Sequence, residues 1–129
     1  MKKILLLLSL LVCALSYAQD WKPIFEADGV AYYYKPHTKN TALIKEVSDK
    51  TEYEPEDSLE TKVINGYQIT LWKFDCDDKK IAPIQINVYS KEGKSLQNVK
   101  KDEDETEMFF VIPDSVGEGF FKVFCGKGK

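Results

Sequence analysis

Residues 67–76, Tyr-Gln-Ile-Thr-Leu-Trp-Lys-Phe-Asp-Cys, place large apolar side chains on both sides of an extended chain. Tyr67, Ile69 and Leu71 point one way, and Trp72, Phe74 and Cys76 point the other. A strand with two apolar sides belongs in the middle of a sheet covered on both faces, by a helix on one and by a partner or ligand on the other. The flanking sequence supplies its neighbours. Residues 21–25 and 30–34 are apolar and aromatic runs separated by Asp28-Gly29, a dipeptide that tolerates the positive φ angles of a hairpin turn. Residues 42–53 continue with a looser alternation in which Leu43, Val47, Thr51 and Tyr53 share one side. The acidic stretch 54–62, with Pro55, reads as a loop. Beyond the 67–76 strand, residues 77–80 form a tight turn. Ala82, Ile84, Ile86 and Val88 then line one side of the next strand, with Pro83 near its start. Lys91, Glu92, Gly93 and Lys94 make another hairpin turn into a short run through Leu96 and Val99, and the charged residues 100–107 read as a solvated loop.

The period changes near the C-terminus. Pro113 and Asp114 precede Ser115, and Glu118 follows that serine by three residues, the pattern of a capping box opening a helix. At about 100° per residue, Val116, Gly117, Phe120, Phe121, Val123, Phe124 and Cys125 share one broad arc, with Glu118, Gly119 and Lys122 outside it. Gly117 on the buried arc lets the helix approach the sheet closely. If that arc lies over Trp72 and Phe74, then Cys76 is on the correct side to meet Cys125. The expected fold is therefore α+β but mainly β: a curved antiparallel sheet of about six strands, with a C-terminal helix packed on one face and tied to it by a disulfide.

The first residues carry an export signal. Lys2 and Lys3 precede an apolar run, 4–15, interrupted only by Ser9 and Cys13 and too short to span a bilayer as a helix. Ser16 and Ala18 put small residues where a signal peptidase needs them, so cleavage is expected after Ala18, leaving 19–129 as a single domain. The competing reading lipidates Cys13, but Val12 is bulkier than the small residue such processing prefers. Removing Lys2 and Lys3 lowers the basic count from 18 to 16 against 21 acidic residues and takes the net charge from -3 to -5, which disfavours a nucleic-acid partner. Nothing else in the chain has the length and apolarity of a transmembrane segment. Without Cys13, Cys76 and Cys125 enter an oxidising compartment together and are expected to bond. Closing a loop of about 50 residues stabilises the fold by ~4 kcal/mol in the loop-entropy picture. The alternative for these cysteines is a reactive or metal-binding thiol.

Three segments carry a family resemblance. These are residues 21–25 with Tyr32, Tyr33 and Tyr34; Trp72-Lys73-Phe74-Asp75-Cys76 with Lys79-Lys80; and Ile112-Pro113-Asp114-Ser115-Val116-Gly117-Glu118 with Cys125. Together they resemble the surface-adhesin protein E family of bacterial exported proteins. Phe109 or Phe110 stands where that family often has tryptophan, which changes packing size more than chemistry. The resemblance implies a curved antiparallel sheet tied by a disulfide to a C-terminal helix. For function it implies an adhesin-like protein that contacts host or environmental macromolecules, including glycoproteins of the extracellular matrix, at the cell surface or as a secreted protein. It assigns no binding motif to particular residues. The alternative is a periplasmic structural or inhibitory module that binds another bacterial protein.

Catalysis is not expected. His37, the single histidine, follows Pro36 in a turn, and no nucleophile is marked for it. Asp75, Asp77 and Asp78 lack the glycine and distal glutamate of a loop-type calcium site and read as a charged turn balanced by Lys79 and Lys80, so neither metal nor cofactor is expected. Tyr32, Tyr33 and Tyr34, with Trp21, form the candidate binding surface, because aromatics on a sheet can contact glycans or proteins. Alternation sets Tyr33 opposite Tyr32 and Tyr34, so only part of the cluster is available for contact. The two apolar sides of the 67–76 strand also predict self-association into a homodimer.

Overall fold

The computed structural model describes residues 21–126; the expected export signal, with Cys13, lies outside the described residues. Six strands form one antiparallel meander in sequence order: β1 (Lys22–Ala27), β2 (Val30–Pro36), β3 (Thr41–Tyr53), β4 (Lys62–Asp75), β5 (Lys80–Ser90) and β6 (Ser95–Lys100). A two-residue strand, β7 (Phe109–Phe110), pairs with the first residues of β5, and helix α1 (Val116–Cys125) ends the described chain. The loop read at 54–62 gives way to β4 at Lys62, and β7 carries no alternation long enough to be read from sequence.

The turns are where their residues require them. Asp28 and Gly29 have φ of 52° and 79°, the double positive φ that joins two strands without disturbing their twist. Lys79 supplies positive φ in the turn before β5, and Gly93 does so before β6.

Two side assignments made from alternation fail because bulges intervene. In β3, Ser48 lies opposite Gly66 and Thr51 opposite Ile64, so Asp49 and Lys50 together face the single residue Asn65. The extra residue reverses the alternation, and Thr51 and Tyr53 lie on the side opposite Leu43 and Val47. In β5, Leu71 pairs with Gln85 and Trp72 with Pro83, leaving Ile84 bulged. Ile86 and Val88 therefore share a side with Thr70 and Gln68, whereas Ala82 lies with Lys73 on the other. Pro83, which has no N–H to donate, sits where the edge of β5 changes partner from β6 to β7.

α1 covers the side of the sheet that carries Trp72 and Phe74. Phe124 stacks on Phe74 at 4.3 Å between ring centroids, and Phe120 meets Trp72, Tyr32 and Phe25 at 5.6, 5.5 and 6.0 Å. Tyr32, Ala42, Ile44, Phe74, Ile81 and Phe120 form the buried core. The cap forms as its residues dictate: the Glu118 N–H donates to Ser115 Oγ at 3.2 Å, and the Glu118 carboxylate accepts from the Asp114 N–H. Gly126, with φ of 65°, closes the far end by donating its N–H to the Lys122 carbonyl.

The helical arc needs one revision. Gly119, outside the arc on a regular wheel, is a point of closest approach: a Cβ there would stand 2.6 Å from the ring of Phe25. Phe25 reaches over from β1 and packs between Tyr32 and the helix, which extends the contact around the side of α1. Val116 and Val123, placed on the arc, remain 37% and 38% exposed. Gly117 does sit against the sheet, where a Cβ would come within 2.9 Å of Ile81.

Cys76, in the turn after β4, is bonded to Cys125 in the last turn of α1, with their Cα atoms 5.5 Å apart. A ten-residue helix is too short to persist alone in water, so its order comes from the aromatic face and this bond.

Candidate functional site

With α1 on one side, the opposite side of the sheet carries no helix among the described residues: its end at Thr41 and Ala82, level with Lys73, is buried, and the rest is left uncovered. Strand register identifies its occupants. Tyr33, Lys45 and Ile69 form one row, Lys35, Leu43 and Leu71 a second, and Ala31, Val47, Tyr67 and Tyr89 a third. Trp21, immediately before β1, lies over the same side. None of these residues is fully buried.

Two lysines are held among the rings. The Lys45 ammonium lies 4.6 Å from the centroid of Tyr67 and 5.6 Å from that of Trp21, and the Lys35 ammonium is 5.7 Å from the Trp21 centroid. The negative faces of the rings attract these cations and limit where they go. Tyr67 stacks in turn on Tyr89 across the β4–β5 pair, at 5.0 Å between centroids. Among the described residues neither Lys35 nor Lys45 has a carboxylate within ion-pair distance; Lys73, further along the face, pairs with Glu103 at 3.8 Å. Carboxylates of this side lie at its margins: Glu26 on the outer strand β1, Glu52 near the end of β3, Asp75 at the end of β4, and Glu103. A groove of about 650 Å³ continues the face between Leu71, Ile84, Gln85 and residues 100–103. The result is a half-exposed aromatic surface with positive charge at its centre, on a chain whose net charge is negative.

The three consecutive tyrosines are split by the alternation of β2. Tyr32 is 7% exposed and its ring lies tilted against Phe25 at 4.8 Å between centroids, and Tyr34 packs against the same core. Burial raises the pKa of both phenols, that of Tyr32 with further help from the carboxylates of Glu46 and Asp28. Tyr33 alone of the three reaches the uncovered side, opposite Lys45. Lys35, Lys45 and Tyr89 were not singled out from sequence, and Tyr67 was read only as part of one apolar side of the 67–76 strand. Their common side follows only from the register of four strands, although each has the odd parity shared with Tyr33.

The remaining candidates serve local structure. His37 Nδ1 lies 2.9 Å from Thr41 Oγ1 across the β2–β3 turn. The Asp75 carboxylate accepts from the Asp78 N–H, and the Asp102 carboxylate from the Asp104 N–H, each shaping its own turn. Among the described residues no group of three or more histidine, cysteine or carboxylate side chains converges to hold a metal ion. On the helix side, beyond the helix, Glu46 accepts from Gln68 Nε2 at 2.9 Å, and its pKa is raised by burial. A second groove, about 380 Å³, runs beside the disulfide between Lys79, Val111, Pro113, Phe121 and Lys122.

Fold and face define a small disulfide-braced sheet domain that covers one side with its helix and keeps rings and lysines half-exposed on the other. A family model described as Surface-adhesin protein E matches residues 21–126, and the chain belongs to that family. No curated protein and no solved structure matches it.

Proposed function

We propose that this chain is an exported bacterial binding protein, an adhesin-like module that contacts a host or environmental macromolecule through the uncovered face of its sheet. Membership of the surface-adhesin family over residues 21–126 carries the reading. The face supports it by offering half-exposed rings and cations that the fold does not use for its own core. The role asks for no catalysis and no cofactor. Of the three tyrosines first considered for contact, Tyr33 takes that role, while Tyr32 and Tyr34 support the core.

Export is part of the proposal. Mass spectrometry of the protein recovered from its producing cell is expected to find Gln19 as the first residue; an intact Met1, or a lipid on Cys13, counts against cleavage after Ala18. Protease treatment of intact cells tests the address. An adhesin is stripped from the surface, whereas full protection places it in the periplasm as a module binding another bacterial protein. The apolar side chains on the open face, Leu43, Val47, Ile69 and Leu71, also suit a second copy of the chain. That homodimer is the competing occupant of the same surface, and a doubled mass in light scattering would reveal it.

A further inference from the structure

We infer that the uncovered face binds an acidic polysaccharide, a glycan bearing uronate or sulfate groups and displayed outside the producing cell. The inference rests on the adhesin reading and names the ligand class of the same surface.

Three observations converge on it. The ammonium groups of Lys35 and Lys45 stand over the Trp21 and Tyr67 rings and have no carboxylate at ion-pair distance among the described residues. They are placed to receive anionic groups, and the rings beside them hold them there. Next, Ile69 and Asn87 are opposite one another across β4 and β5, and Asn87 lies opposite Asn98 of β6. The two amides continue the row outward and offer both donors and acceptors, which sugar hydroxyls need. Finally, cations interrupt the apolar groups of this face. Packed on a symmetry-related copy, the face would bring lysines of like sign together in a surface losing its water, which disfavours a twin copy relative to an anionic partner. A hydrated acidic glycan chain fits rings, amides and separated cations.

The test uses the mature chain and a heparin-derived octasaccharide as the acidic probe, with a dextran of similar length as the neutral probe and poly-glutamate as a non-sugar polyanion. Calorimetry is expected to show binding to the octasaccharide, little to dextran or poly-glutamate, and weakening as salt rises from about 50 to 200 mM. The Lys35→Gln, Lys45→Gln double variant should bind about tenfold more weakly, the loss expected for charge-assisted contacts. Asn98→Ala should weaken octasaccharide binding while leaving the salt dependence in place. Circular dichroism melts establish that each variant is folded. Absence of octasaccharide binding, equal binding of poly-glutamate, or full binding by the folded lysine variant would overturn the inference. So would a dimer in light scattering that Leu71→Lys dissociates, since the face is then occupied by a second copy. If cells still lose the protein to protease while the octasaccharide is ignored, the ligand class falls and the adhesin reading stands; protection of the protein on intact cells removes the external glycan along with that reading.

Discussion

Gly66 occupies a position where no side chain fits. It lies in β4 opposite Ser90, and a Cβ built there would run into the backbone carbonyl oxygen of Tyr89, which cannot swing aside as a side chain can. Gly66→Ala is expected to destabilise the fold by about 1–3 kcal/mol, the usual cost of forcing atoms into a packed site, read as a lower urea midpoint with an unchanged slope. A midpoint equal to wild type would mean that β4 and β5 are further apart than described. Glu46 gives a prediction of opposite sign. Its folded pKa is raised by burial, so relative to the unfolded chain the folded protein holds this proton more tightly. The contribution to stability is full below the unfolded carboxylate pKa and is lost as pH rises through the folded value. Glu46→Gln should therefore raise the urea midpoint at neutral pH, and the difference should close as the solution is acidified. The amide at this position retains an acceptor for the Gln68 side chain, so the comparison isolates charge.

At the scale of elements, the helix depends on its cap and its clamp. Ser115→Ala removes the acceptor for the Glu118 N–H and should cost about 1 kcal/mol, seen as a lower melting temperature with the disulfide intact. The cap was legible in the sequence because its signal is local: a serine and, at the third position after it, a glutamate. The 67–76 alternation was legible for the same reason, since β4 keeps its pleat from Gly66 to Asp75. What was not legible lies in pairing. The bulges at Asp49–Lys50 and at Ile84 follow from how two strands meet, not from either strand alone, and each reversed the sides assigned beyond it. The arc of α1 was misjudged at Gly119 because a partner ring, Phe25, comes from an element some ninety residues earlier. The proposed binding face was hidden most deeply. Tyr32, Tyr33 and Tyr34 stood out as a run, but contact across strands is what gathers Trp21, Lys45 and Tyr67 into one surface.

For the whole molecule, one bond and one asymmetry govern the account. The Cys76–Cys125 disulfide joins residues 49 apart and ties the last turn of α1 to the end of β4. Replacing both cysteines by alanine should lower stability by about 4 kcal/mol if the loop-entropy picture holds. The unreduced, denatured mature protein should show no free thiol. Two free thiols would remove the clamp from the account and leave the helix held by its aromatic face alone. The asymmetry is that α1 satisfies one side of the sheet with phenylalanines while the other keeps its rings and lysines at the surface. Attachment through that open side is tested most directly by comparing two folded variants in adhesion to an extracellular-matrix layer. Lys45→Glu combined with Tyr67→Ala alters the open face, and Lys122→Gln alters the exposed side of the helix. The first is expected to abolish attachment at an unchanged fold and the second to leave it intact. Attachment that survives the open-face variant, or is lost with the helix variant, would contradict that role of the open face.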